Sequence, residues 1–311
     1  MDCSKYFTLF TLFLFLVSCS NQNDSHQKIS EIKPIKSFEY SDYSELDSLC
    51  EKLGDPNPNE WRYENDESRQ SFAEYISKKR VRPTKVRNII YILPIGKFNQ
   101  MEQKLLENTA AYVKIFFMLD VKLLSPVSNK VVPKKSRRVN YNVEQLQTKY
   151  ILNDLLLPNI PKDAISYIAI TNIDLYPDEN WNFVFGQAST ANRIGVSSFC
   201  RFYNKILDTT NYKLCLERIL QTTTHELGHM FSLKHCVIDK CLLNGCNSLY
   251  EADNQPLWLC PECLAKLQWC IKFDLIKRYN SLIDFSNSNG FEKEKLFYLK
   301  SKKIMENIYH H

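Results

Sequence analysis

The sequence has no apolar run long enough to cross a lipid bilayer, no visible internal repeat and no large excess of either charge sign. The apolar run at 6–17 has about a dozen residues, whereas a membrane-spanning helix needs about 20. The net charge is only +5. Two basic runs, at 78–80 and 134–138, have no interleaved aromatic residues and accompany no recognised nucleic-acid module. We therefore interpret them as solvated surface loops and expect no nucleic-acid partner.

The chain does contain enough apolar residues for one medium globular domain with extensions. It has 311 residues, of which 44% are hydrophobic and 24% charged. A chain of this length and composition can bury a sizeable core without disulfides.

The first residues are typical of an export signal. The run YFTLFTLFLFLV follows a single lysine and fits the apolar region of a signal peptide over 1–18. Residues 16–19, LVSC, resemble a bacterial lipobox, which implies cleavage before Cys19 and lipidation of that cysteine. We expect an exported protein that is anchored to a bacterial membrane through Cys19. The alternatives are a secreted soluble protein or a cytoplasmic one with an uncleaved apolar start.

The segment 225–263 contains two sets of metal-binding residues in direct succession, beginning HELGHMFSLKHC. His225 and His229 are four residues apart, so on a helix both imidazoles lie on one face and can bind one Zn²⁺. Glu226 is placed to take a proton from a water on that zinc without binding the metal. His235 supplies a third nitrogen if the helix ends and the chain turns back. Three ligands with an open position are typical of a catalytic zinc.

Four cysteines form the second set, and four closed ligands are typical of a structural zinc that stabilises the fold. They are Cys236, Cys241, Cys260 and Cys263. The CxxC pair at 260–263 has three other interpretations: a disulfide, two loose thiols, or a zinc ribbon that binds nucleic acid. The first cysteine pair follows directly from the histidines, which favours a support site for a peptidase. The simplest alternative for the whole segment is a helix with two satisfied histidines and a separate cysteine knuckle.

By these residues the chain resembles the archaemetzincins, a family of zinc metallopeptidases in the metzincin clan. The family pattern HExxHxxGxxHC, four residues, C-x-M and a later CxxC maps onto His225 to Cys263. Other similar segments extend the resemblance over about two thirds of the chain; they lie at 121–127, 173–190 and 243–268. The resemblance implies two Zn²⁺ ions, one catalytic and one structural. It also implies a peptide or protein substrate that is hydrolysed by a metal-activated water, with Glu226 as general base and then general acid. We expect the protein to be a monomer.

Two residues depart from the family pattern. Ser232 replaces the glycine whose positive φ ends the active-site helix, and serine adopts that conformation at a cost of about 1 kcal/mol. Leu243 replaces the methionine below the catalytic zinc, a change that nearly conserves volume. Neither change removes a reacting group. They motivate the alternative function, a catalytically impaired relative that holds zinc and binds peptides or a protein partner.

The apolar patterns predict an α/β fold, a metzincin-like catalytic domain with a mixed twisted sheet. The expected strands lie at 88–96, 121–127, 164–176, 181–190 and 193–202. The expected helices lie at 100–119, 143–157 and 214–233, the last carrying HExxH, with a helical C-terminal part that holds the four-cysteine zinc. We expect a polar tether with short, loosely packed helices at 19–84, a catalytic domain at 85–285 and a tail with a short surface helix at 286–311.

Of the eleven cysteines, Cys3 would leave with the signal peptide, and five others have no predicted role in metal binding or lipidation. An odd number in an oxidising compartment leaves at least one free thiol, and spacing alone fixes no pairing. These cysteines are Cys50, Cys200, Cys215, Cys246 and Cys270.

Overall fold

The structure, a computed structural model, describes residues 38–204 and 206–310, with the backbone alone at 309 and 310. The predictions of a signal peptide at 1–18 and of lipidation at Cys19 lie outside these residues. Among the helices of the described part, none is both long enough and apolar enough to cross a membrane.

The secondary structure alternates strands and helices and then becomes helical. The strands are β1 (Ile89–Ile95), β2 (Asp120–Leu123), β3 (Arg137–Asn140), β4 (Val143–Gln147), β5 (Ala164–Thr171), β6 (Asp174–Tyr176), β7 (Gly186–Ser189) and β8 (Ile194–Ser198). The α-helices are α1 (Trp61–Glu64), α2 (Phe72–Ser77), α3 (Gln100–Phe117), α4 (Thr148–Tyr150), α5 (Tyr212–Met230), α6 (Leu249–Asp253), α7 (Pro261–Ile271), α8 (Leu275–Asn289) and α9 (Glu292–His310). A 3₁₀-helix precedes them at Tyr40–Leu49, and a π-helix at Ile151–Leu156 follows α4. The prediction of a mixed α/β fold with a helical C-terminal part is confirmed.

The larger sheet has five strands in the order β2-β1-β5-β8-β7. All neighbouring pairs are parallel except β7 and β8, which are antiparallel. Strands β1 and β5 are apolar along almost their whole length because layers of structure cover both faces of a parallel sheet. Strand β7 is only half-buried and ends the sheet. The sheet therefore presents a polar, antiparallel edge strand beside α5.

Helix α5 packs against α3 and against strands β5, β7 and β8. Gly195 of β8 lets the strand approach the helix, because the side chain of Met230 occupies the space that a Cβ at 195 would need. The helix is longer at its start and shorter at its end than the predicted 214–233. Its last turn lies next to β7, which brings the histidine motif to the edge of the sheet.

A second sheet of three strands has the order β3-β4-β6, and it corrects two predictions. The predicted helix at 143–157 begins as strand β4 and becomes helical only from Thr148. Gln145 is buried there and donates hydrogen bonds to Asp174 and to the carbonyl of Asn182, so tertiary partners outweigh its helical pattern. The predicted strand at 164–176 divides into β5 and β6, which belong to different sheets.

The two ends of the described chain are part of the main core. The segment before β1 was expected to pack loosely, yet Tyr43 and Tyr75 are buried. The predicted surface helix at 297–309 is the longer α9, which buries Tyr298 and Met305 against α8 and the 3₁₀-helix. Both expectations were wrong because polar residues dominate these segments while a few large apolar side chains fix their position.

Candidate metal centres and cleft

Helix α5 ends in a turn that reverses the chain after the histidine motif. The amide of Phe231 donates to the carbonyls of Leu227 and Gly228, and Ser232 has a φ of 68°. This is the left-handed conformation that the family's glycine adopts without strain, and serine adopts it at some cost. The turn brings His235 back to the helix.

The three histidines of the sequence motif converge. The Nε2 atoms of His225 and His229 are 3.0 Å apart. The ring of His235 lies 4.7 Å from the ring of His229 and 5.3 Å from that of His225, centroid to centroid. The potential ligand atoms of all three lie within 4.8 Å of one another. One metal ion can therefore contact all three rings.

Hydrogen bonds at Nδ1, the ring nitrogen that faces away from the cluster, orient the rings of His225 and His229. The Nδ1 atom of His225 is 2.9 Å from the carbonyl of Leu242, and that of His229 is 2.7 Å from the carbonyl of Leu233. The Nδ1–H group of each ring donates a hydrogen bond to its carbonyl, which leaves a lone pair on each Nε2 for a metal. Burial lowers the pKa of His225 well below its usual range and that of His229 to about 4, so both are neutral at pH 7. The donor set fits zinc.

Glu226 lies beside this set and is nearly buried, with 8% of its surface exposed. Burial raises the pKa of its carboxyl to about 8. Gly186, the first residue of β7, allows the approach: a Cβ at 186 would lie 2.7 Å from Oε1 of Glu226. Strand β7 and Glu226 thus lie against each other on the same side of the site.

Leu243, the residue in place of the family's methionine, is fully buried against α5. A Cβ at Gly228 would lie 2.8 Å from Cδ2 of Leu243, so the glycine of HELGH lets the two segments touch. The leucine fills the space below the histidines.

The four cysteines of the second set form a closed, buried cluster. Their sulfur atoms lie within 4.8 Å of one another, and those of Cys236 and Cys260 are 3.7 Å apart. Tetrahedral Zn–S bonds of about 2.3 Å put sulfur atoms about 3.8 Å apart, so the spacing fits zinc. Thiol hydrogen bonds from Cys241, Cys260 and Cys263 lower the pKa of Cys236, which favours a thiolate.

Local structure fixes these cysteines. Cys260 is the N-cap of α7 and Pro261 follows at the first helical position, so Cys260 and Cys263 lie at the positive end of a helix. Asn244 accepts from the amide of Cys241 at 2.8 Å and donates to the carbonyl of Cys236 at 2.7 Å. The short loop between the first two cysteines is thus held by one buried amide side chain.

The remaining cysteines of the described part form no disulfide. Cys246 faces the cleft next to Glu226, and burial raises its pKa to about 12. Its thiol is therefore protonated and a poor nucleophile.

An open cleft of about 820 Å³ contains the three histidines and Glu226. Trp181, Asn182 and Gln187 are among its lining residues. Two residues with roles at the site were missed, Glu67 and Gly186. Glu67 lies 2.8 Å from Nδ1 of His235, 168 positions away in sequence. No periodicity or spacing signals such a long-range contact.

Comparisons with known proteins relate this chain to the archaemetzincins. The sequence profile of peptidase family M54 matches residues 96–269. Archaemetzincin-2 of Rattus norvegicus is 36% identical over 270 residues, 76% of this chain and 74% of that protein. Archaemetzincin-1 of Homo sapiens is 30% identical over 261 residues, 74% of this chain and 52% of that protein. The crystal structure of the archaemetzincin of Archaeoglobus fulgidus is 29% identical, covers 57% of this chain and 99% of that chain, and has a TM-score of 0.46.

The donor sets and the family and sequence matches define a zinc metallopeptidase, a hydrolase. The chain belongs to peptidase family M54, the archaemetzincins.

Proposed function

We propose that the protein hydrolyses peptide bonds with one zinc on His225, His229 and His235, and that a second zinc on the four cysteines is structural. The observation that carries this proposal is the convergence of one ring nitrogen from each of three histidines beside the nearly buried carboxyl group of Glu226 at an open cleft. Three ligands leave a coordination position for water or substrate, which a closed four-cysteine site does not.

A zinc ion at the histidines would polarise the scissile carbonyl and acidify a nearby water. Glu226 takes the proton from that water as general base and then donates it to the leaving amine as general acid. Its nearly buried position limits exchange of the proton with bulk water while the carboxyl holds it between the two steps. No covalent intermediate with a serine or cysteine is required.

The substrate binds along β7 as an added strand. Because β7 ends the five-stranded sheet and runs antiparallel to β8, its outer edge is available for main-chain hydrogen bonds to an extended peptide. Gly186 on this strand lies against Glu226, so a peptide paired with the outer edge of β7 passes directly over the general base. Trp181, which is 47% exposed, offers an apolar surface at the same cleft.

The test is zinc content per chain for the wild type beside His229→Ala. We expect a decrease from about two zincs to about one, together with loss of peptide hydrolysis. About one zinc in both proteins would contradict the histidine site, and the function as a zinc-holding binding protein would then replace the peptidase function.

We also propose that the protein is exported and tethered through Cys19. The apolar run at 6–17 and the LVSC sequence at 16–19 support this proposal. Labelled palmitate should be incorporated into the wild type and not into Cys19→Ala, which should lose its membrane association. Equal labelling of the two proteins would contradict the anchor, and a soluble wild type would favour the secreted or cytoplasmic alternative.

A further inference from the structure

A carboxylate from outside the family-matched segment contacts the third histidine. The two oxygens of Glu67 lie 2.8 and 2.9 Å from Nδ1 of His235, whereas the family profile matches only 96–269. We propose that Glu67 is a positioning residue for the three-histidine site. Its carboxylate accepts a hydrogen bond from the Nδ1–H group of His235 and thereby aims the Nε2 lone pair at the metal. This inference rests on the proposed function.

His235 needs such a partner more than the other two histidines do. His225 and His229 are held by α5, and their Nδ1 atoms face main-chain carbonyls. His235 follows the strained turn at Ser232 and lies in no helix or strand. Apart from Glu67, the described contacts of its ring are with the other two histidines and the edge of Trp61, at 5.1 Å.

The segment that carries Glu67 is fixed to the turn that carries His235. Gln70 donates to the carbonyl of Ser232 at 3.1 Å and accepts from the amide of Lys234 at 3.3 Å. The hydroxyl of Tyr75 donates to the carbonyl of Phe231 at 2.6 Å. Because these bonds hold both ends of the turn, they keep the carboxylate of Glu67 at a constant position relative to the imidazole.

The same segment is attached to the helix that carries two of the zinc-binding cysteines. The amide of Phe72 donates to Glu262 at 2.9 Å, and Lys266 donates to the carbonyl of Gln70. Glu67 therefore lies on a segment that is hydrogen-bonded both to the turn and to α7. These bonds hold its carboxylate rigidly, as the hydrogen-bond partner of a metal-binding histidine requires.

A carboxylate at Nδ1 selects the tautomer with a free Nε2 and increases the basicity of that nitrogen. Loss of such a partner commonly weakens metal affinity by about 10- to 100-fold. Glutamine at 67 keeps the reach of the side chain and an accepting oxygen. Aspartate keeps the charge but is one methylene too short to reach the ring.

The test measures zinc affinity of the full chain by competition with a chromophoric chelator. Glu67→Ala and Glu67→Asp should weaken the weaker of the two zincs by about 10- to 100-fold and leave the tighter one unchanged. Glu67→Gln should remain closer to the wild type than to Glu67→Ala. Asp66→Ala, an exposed neighbour of the same charge, is the matched control and should match the wild type.

Wild-type affinity in both Glu67→Ala and Glu67→Asp would overturn the positioning role while leaving the proposed function intact. If Glu67→Ala does not fold, the two conservative variants decide, and equal affinities of Glu67→Asp and Glu67→Gln would overturn it. Failure of the proposed function is distinct, because the wild type itself would then bind only one zinc.

Discussion

The two metal-binding clusters lie within one stretch of chain yet differ in their exposure to solvent. All four cysteines are buried, and the spacing of their sulfurs leaves no position for a further ligand. The three histidines are half-buried and open onto the cleft. The segment 225–263 thus contributes both a closed site and an open site, and only the open one can exchange a ligand during a reaction.

The clusters also differ in what supports them. Asn244 lies between the second and third cysteines and holds the cysteine loop from within the segment. The histidine site depends on Glu67 and Gly186, which reach it from distant parts of the chain. A substitution in the cysteine cluster should therefore affect folding, and one around the histidine site should affect chemistry.

The largest expected effect is at the closed cluster. Cys263→Ser should leave little soluble folded protein, because a structural zinc contributes on the order of 10 kcal/mol in small zinc peptides and the whole fold has about 5–15 kcal/mol. Circular dichroism and the temperature midpoint of unfolding measure this. Cys200→Ser, at a partly buried cysteine outside both clusters, should unfold near the wild-type temperature. A normal unfolding temperature for Cys263→Ser would argue against a structural metal.

Glu226→Gln should affect chemistry and not the fold. We expect kcat/KM for peptide hydrolysis to fall by about 10²- to 10⁴-fold, because the amide cannot accept the proton from water. Zinc content and unfolding temperature should stay near wild type. Glu217→Gln, on the same helix but away from the cleft, controls for the loss of a charge on α5. Retained turnover in Glu226→Gln would exclude the assigned general base.

A smaller loss is expected when the general base is displaced without being removed. A Cβ at position 186 has no room beside the Glu226 carboxylate, so Gly186→Ala should push the carboxylate aside. A displacement of about 1 Å commonly costs up to about 10²-fold in rate. Gly54→Ala is the matched control, because nothing lies within 4 Å of a Cβ there. Equal kcat/KM values for the two variants would mean that β7 does not constrain the base.

The smallest effect concerns the turn between the clusters. Ser232→Gly should increase the free energy of unfolding by up to about 1 kcal/mol, because glycine adopts the positive φ without strain. Lys272→Gly relieves the same conformation at φ 63°, away from both sites, and should give a similar gain. Denaturant unfolding measures both variants.

Substitutions at Ser232 and Leu243 distinguish between the two candidate functions. The double variant Ser232→Gly with Leu243→Met should turn over peptide within about tenfold of wild type, since Leu243 already fills its site and leucine and methionine exchange with little cost. An increase of several orders of magnitude would instead identify the natural protein as a catalytically impaired relative.

The local sequence pattern predicted those elements in which the order of apolar residues or metal-binding residues directly reflects burial or metal binding. The apolar runs of β1 and β5 and the spacing in α3 located the core, and the histidine and cysteine spacing located both donor sets. The pattern at 143–157 was misleading because the partners of Gln145 come from β6 and a loop. Glu67 was missed for the same physical reason, since an isolated glutamate in a polar segment has nothing nearby in sequence that distinguishes it.

Helix α9 has a consequence for the synthesis of this protein. A ribosome makes the chain from its amino end, so the 3₁₀-helix at 40–49 emerges long before α9, one of the elements against which it packs. Tyr43 and Leu46, the buried residues of that 3₁₀-helix, lack part of their apolar contacts until α9 has been made. The zinc-binding cysteines also emerge before α9. The 3₁₀-helix is therefore expected to keep an incompletely covered apolar face until α9 has been made and has left the ribosome.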